Sequence, residues 1–125
     1  MIKVESITFA GQDERGVTAE IDSLNRGGKY ILAYRKAGSL SGNHYHQGIS
    51  AMKDPEVVFL LQGKVNIRYA RVADGNKGEE QSIQAEAPAR IEVAKNTWHL
   101  MEFLSDACFF ELNSFAEGDK DTFRI

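Results

Sequence analysis

Short apolar stretches recur along the chain, broken every few residues by glycine, asparagine or aspartate. Lys64-Val65-Asn66-Ile67-Arg68-Tyr69 alternates between polar and apolar, the period of a strand with one face buried. Val57-Val58-Phe59-Leu60-Leu61 is apolar without alternation, as a strand buried on both faces reads. The same reading places strands over Ile2–Phe9, Val17–Asp22, Lys29–Lys36, Gly42–His46, Glu56–Leu61, Lys64–Val72, Glu80–Ala85, Arg90–Val93, Trp98–Leu104 and Cys108–Ser114. Turn signals separate them: Asn25-Arg26-Gly27-Gly28, Ala37-Gly38, Asp74-Gly75-Asn76 and Lys95-Asn96. Evenly spaced short strands of this kind predict an all-β barrel or sandwich. No segment sustains a helical period, and the polar tail from Phe115 to Ile125 reads as loop or a short helix.

Length and composition narrow the class. The chain has 125 residues, enough for one domain over 1–125 with a modest core. A hydrophobic content of 42% with 26% charged residues suits an ordered globular protein. The net charge is −3 and no basic stripe appears, which argues against nucleic acid as a partner. The longest apolar run, Val57–Leu61, is too short to cross a membrane. Lys3 and Glu5 fall where a signal peptide would need an apolar core, so a cytoplasmic protein is expected. Cys108 is the only cysteine, and its apolar neighbours Ala107, Phe109 and Phe110 predict a buried small hydrophobe rather than a reactive thiol.

The candidate chemistry lies in the three histidines. His44 and His46 stand two apart in a predicted strand, so both side chains leave from the same face. Glu56 opens the next predicted strand, and His99 lies in a later one. Three imidazoles and a carboxylate suit a first-row divalent ion such as zinc, manganese, iron or nickel, with positions left open for water or substrate.

Spacing gives these residues a context. Gly38 precedes His44 by five intervening residues, and six lie between Glu56 and Gly63. The stretches Gly38-Ser-Leu-Ser-Gly-Asn-His-Tyr-His46 and Glu56-Val-Val-Phe-Leu-Leu-Gln-Gly63 resemble the first motif of the cupin superfamily. One departure is plain: nine residues, Gln47 to Pro55, separate His46 from Glu56, more than the motif usually has. Asp54 is the substitute ligand if the longer loop displaces Glu56, although Pro55 disfavours strand pairing there. The second motif is reduced to Ala94-Lys-Asn-Thr-Trp-His99. Asn96 replaces its turn glycine, being more tolerant than most of a left-handed backbone, and Phe103 stands where the motif has asparagine. Gly42-Asn-His-Tyr-His46 further resembles the Arg-Gly-Asn-His-Tyr-His segment of cupin domains attached to capsule-polysaccharide enzymes, with Ser41 in place of the arginine. Asp13-Glu-Arg-Gly16 resembles an element near the start of nucleotide-sugar epimerases and ketoisomerases.

The resemblance implies a single-domain cupin jelly roll, with one divalent transition metal on His44, His46, Glu56 and His99. It also implies a homodimer, and the two-faced strand Val57–Leu61 agrees with one. A carbohydrate-type small-molecule ligand is the expected partner, and an isomerase or epimerase step in sugar or nucleotide-sugar metabolism the expected activity. Glu56, if released from the metal, or Glu111 would then move the proton. A metal-free epimerase would instead pair a base, His44 or His46, with Tyr30 or Tyr34 as acid. An iron-dependent dioxygenase and a non-catalytic sugar-binding or metal-stabilised module are the remaining readings. A binding module needs no titratable side chain beside the ion other than its ligands; an isomerase does.

Overall fold

Two antiparallel sheets face each other, and alternation along their strands decides what lies between them. The computed structural model describes residues 1–125. One sheet has the spatial order β1 (Ile2–Ser6), β10 (Ala89–Val93), β6 (Glu56–Gln62), β12 (Ala107–Glu111), β4 (Ile31–Arg35). The other runs β5 (Leu40–His44), β11 (Thr97–Phe103), β7 (Lys64–Ala73), β8 (Asn76–Lys77), with β9 (Gln81–Glu86) also paired to β7. β2 (Gly11–Asp13) and β3 (Gly16–Thr18) form a separate hairpin. This is the cupin jelly roll expected from the sequence.

Val58 and Leu60 of β6, Val65 and Ile67 of β7, Ile91 and Val93 of β10, Phe103 of β11 and Phe109 of β12 fill the space between the sheets. The Phe103 and Phe109 rings stack at 5.8 Å, an arrangement that adds about 1 kcal/mol to their area burial. The opposite faces are covered more locally. Trp98 packs with Tyr45, Ala70 and Val72 behind the second sheet. Val57 and Phe59 are covered by Leu112, Ile7 and Leu24. Val57 and Phe59 on the outer face of this doubly apolar strand are therefore covered within the chain, while Leu61 at its end stays exposed.

One segment departs from expectation, and the tail resolves to one of its two readings. Val17–Asp22 is not one strand. Asp13 instead accepts the Arg15 backbone N–H at 2.9 Å, an Asx turn, and Gly16 at φ 133° closes the short hairpin β2–β3. Every residue of that hairpin is exposed. The C-terminal tail forms a helix, α1 (Phe115–Lys120), whose N-cap Ser114 accepts from the Glu117 backbone N–H. Beyond it Phe123 pairs with Tyr45 in an isolated antiparallel bridge. No helix is long and apolar enough to cross a membrane.

Candidate functional site

One end of the barrel is left unfilled by apolar side chains. A cavity of ≈ 560 Å³ opens there, and His44, His46, Lys53, Glu56, His99 and Glu111 are among its walls. Backbone register brings the imidazoles together. His44 ends β5 directly opposite His99 on β11, and side chains so paired stand close enough to touch. Gly42 makes the approach possible: its φ is 95°, and a Cβ there would lie 2.9 Å from the His99 carbonyl oxygen. The bridge between Tyr45 and Phe123 keeps the chain extended past β5, so His46 returns to the face of His44. The ligand atoms of the three histidines all lie within 4.8 Å of one another.

Glu56 joins them from β6. Its Oε2 is 3.0 Å from His46 Nε2 and 3.5 Å from His99 Nε2. The long loop does not displace it. Asp54, the substitute, instead accepts from the Lys95 backbone N–H at 3.3 Å and does not line the cavity. All four expected ligand residues meet at one place.

The hydrogen bonds behind the rings fix their tautomers. His46 Nδ1 lies 2.6 Å from the Asp121 carbonyl oxygen, and His99 Nδ1 lies 3.0 Å from that of Thr97. A carbonyl only accepts, so each Nδ1 carries the hydrogen and donates it. In a neutral ring the lone pair is then on Nε2, the atom facing Glu56. Burial, and then repulsion from His99 and His46, push the His44 pKa down to about 3, so this ring is neutral. Lone pairs on Nε2 and Oε2 thus converge, and a proton or a metal ion between them relieves the repulsion. Ligands about 2.0–2.2 Å from one ion stand roughly 2.8–3.6 Å apart at right or tetrahedral angles. The Glu56 spacings of 3.0 and 3.5 Å fall in that window and the histidine ligand atoms spread to 4.8 Å, so the donor set suits a divalent ion after a small inward shift of the rings.

Two further charged residues complete the floor. Lys53 closes the 3-10 turn Ala51–Lys53 in the inserted loop, and its ammonium is buried. It donates to Glu56 Oε1 and to Asn113 Oδ1, each at 3.1 Å. Burial works to raise the Glu56 carboxyl, but a proton shared from His46 and His99 Nε2, together with the Lys53 ammonium, outweighs it and holds the group well below the usual carboxylate range. With both oxygens engaged, Glu56 is not free to act as the base, which corrects that expectation. Glu111 is the opposite case. Burial, and then the neighbouring Glu56 charge, raise its pKa to about 8. It lines the cavity as a neutral acid near pH 7, beside the ligands.

Tyr34 does not belong here. On β4, Ile31 and Arg35 line the cavity, so parity sends Leu32 and Tyr34 outward, where Tyr34 is 73% exposed. Tyr30 stacks on Phe110 on the same outer side and donates to the Arg26 carbonyl oxygen. No tyrosine lines the cavity, which removes the acid that the metal-free reading required. The sequence also gave no sign of Lys53 or Asp121. A lysine in a polar loop and an aspartate in a polar tail are ordinary surface residues until the fold brings them inside. Asp121 is fully buried; its carboxylate accepts the Gln47 and Ser50 backbone N–H groups at 2.7 and 3.1 Å.

No protein-family model matches the chain, and no curated protein matches it in sequence. Solved structures do match in fold. The QdtA 3,4-ketoisomerase of Thermoanaerobacterium thermosaccharolyticum, a double mutant bound to TDP, superposes with a TM-score of 0.73 at 20% identity, over 99% of this chain and 87% of that one. A 3,4-ketoisomerase from Helicobacter canadensis gives 0.70 at 21%, over 99% and 90%. The rmlC epimerase of Mycobacterium tuberculosis gives 0.72 at 16%, over 99% and 68%. At these identities the likeness is one of fold, and the fold is that of the cupin sugar ketoisomerases and epimerases.

Proposed function

We propose that the chain is a sugar-nucleotide isomerase or epimerase of the cupin type, with a divalent transition metal held by His44, His46, Glu56 and His99. Such an ion, when bound, supplies Lewis-acid polarisation of a substrate carbonyl. His46 and His99 present Nε2 because their Nδ1 hydrogens are committed to backbone carbonyls. Lys53 holds Oε1 of Glu56 and so directs Oε2 at the histidines. Glu111 moves the proton. Its carboxyl protonates the carbonyl oxygen and its carboxylate takes the proton from the adjacent carbon, giving the enol; the reverse pair of transfers, from the neighbouring hydroxyl and to the former carbonyl carbon, completes the isomerisation and returns the group to its starting state.

The observation that carries the enzymatic reading is Glu111: a titratable side chain in the cavity that is not in the ligand set and whose pKa of about 8 suits general acid–base work near neutral pH. A purely binding module has no use for it. The substrate class is supported by the neighbours' fold and by the TDP-4-keto-6-deoxyglucose seen bound to one of them.

The test is hydrogen–deuterium exchange at the carbons flanking the carbonyl of TDP-4-keto-6-deoxyglucose, followed by NMR in D2O. The native protein is expected to catalyse exchange, and Glu111→Gln to slow it about 10²–10⁴-fold with metal content unchanged. No exchange by the native protein overturns the reading. Plasma mass spectrometry tests the ion: near-stoichiometric metal lost in His44→Ala supports it. A metal-free protein that takes up neither zinc, manganese nor iron(II) removes it.

A homodimer belongs to the same proposal. Leu32, Tyr34 and Leu61 are 59%, 73% and 45% exposed on the outer side of the first sheet, and the hairpin β2–β3 is exposed throughout. Light scattering should give twice 13.9 kDa; the mass of one chain rejects the dimer.

A further inference from the structure

Two guanidinium groups line the cavity without a carboxylate partner. Arg15, Arg68 and Arg90 each hold an acidic side chain, whereas Arg35 and Arg124 hold only neutral groups. Arg35 Nε donates to Ser41 Oγ at 2.8 Å and Nη1 to the Tyr34 carbonyl oxygen at 3.1 Å. Its guanidinium carbon sits 5.4 Å from the centroid of the Phe109 ring. Arg35, Ser41 and Phe109 all line the cavity that holds the histidines. Arg124 donates to the Asn43 carbonyl oxygen at 3.1 Å and stands on the same rim, opposed there by Asp119.

The arrangement of Arg35 is that of a prepared anion seat. A guanidinium offers five N–H donors in a fixed fork, and the contacts above leave Nη2 without a partner. Stacking on Phe109 and the bond to Ser41 fix the group before any ligand arrives, so less freedom is lost on binding. Lys53, a third cation of the cavity, is already neutralised by Glu56. The guanidinium reaches Ser41 on β5 from β4, the edge strand of the facing sheet.

We infer that Arg35 seats an oxyanion of the substrate, a carboxylate or a phosphate, with Arg124 as a weaker second cation. This deepens the isomerase reading and rests on it only for placing the reacting carbonyl at the histidines. Ser41 lies three residues before His44 on β5, at most about 10 Å along the strand. The anion therefore sits within one sugar ring and its first substituent of the reacting carbon. A phosphate on a sugar meets that span, and so does a sugar acid.

Calorimetric titration of the full-length protein with TDP, D-galacturonate and D-galactose tests the inference. At least one anionic probe should bind 10-fold or more tightly than galactose. Arg35→Met should weaken that probe about 10-fold or more, the loss of a charge-assisted pair, with galactose unaffected. Arg35→Lys should recover only part of it, and Ser41→Ala should lose about 3-fold by releasing the fork. Should Arg35→Met fail to give a cooperative thermal melt, the Lys and Ser41 variants decide. Equal anion affinity in native and variant proteins overturns the inference, as does the failure of both anions to bind. TDP binding that depends on Arg35 agrees with the nucleotide-sugar reading. Binding of galacturonate alone overturns that reading and leaves Arg35 as the anion seat.

Discussion

The two ends of the barrel share their strands and differ in almost everything else. β11 passes from Phe103 at the packed end to His99 at the open end. β6 passes from Leu60 to Glu56, and β12 from Phe109 to Glu111. At the packed end each apolar side chain touches several others, and burial of area stabilises the fold at roughly 25 cal/mol per Å². At the open end three ionisable groups, one on each of these strands, are largely buried close together, an arrangement that costs stability unless every charge is matched. The lesson is a division of labour along single strands: one end holds the sheets together so that the other can hold unfavourable chemistry in place.

Substitutions at each end should break the comparison in opposite ways. Phe103→Ala removes a fully buried ring from the packed end and is expected to cost about 3–5 kcal/mol. Urea denaturation followed by circular dichroism checks it; the metal bound per folded molecule should not change. His99→Ala should do the reverse, weakening metal affinity about 100-fold or more while moving the denaturation midpoint of the metal-free protein far less than Phe103→Ala does. Competition with a chromogenic chelator gives the first quantity.

Per pH unit the pH dependence is the smallest effect, and it sharpens the comparison most. Glu111 titrates near 8 when folded, raised from the ordinary carboxylate value of 4.5. Between those values the folded chain holds a proton that the unfolded chain releases, so this group's contribution is present at low pH and lost as pH rises through about 8. Its slope is at most about 1.4 kcal/mol per pH unit. Denaturation of the metal-free protein from pH 5 to pH 9 should show that decline, and Glu111→Gln should flatten it. An unchanged slope in the variant would place the proton elsewhere.

The sequence made the jelly roll legible because its strands are short, regularly punctuated and alternating, as at Lys64–Tyr69. The histidine cluster was legible because His44, His46 and His99 are the only histidines and fall at motif spacing. Asn96 does adopt the left-handed backbone expected of it, with φ 56°. Other features resist reading along the chain. Tyr34 could not be placed because β4 is apolar on both faces, and parity without an anchor does not say which face is inner. The raised pKa of Glu111 depends on Glu56, which is distant in sequence and adjacent only after the strands pair. Lys53 was hidden by its position in a loop of polar composition.

The clasp formed by Asp121 has one more consequence. Its carbonyl accepts from His46 Nδ1 while its carboxylate ties down Gln47 and Ser50. Whatever cation occupies Nε2 makes the hydrogen on Nδ1 a stronger donor, and so tightens the segment around Asp121. Occupancy of the floor and order in that segment are then a single linked equilibrium. Amide exchange at Asp121 and Phe123 would report, from the rim, whether the centre of the barrel is filled.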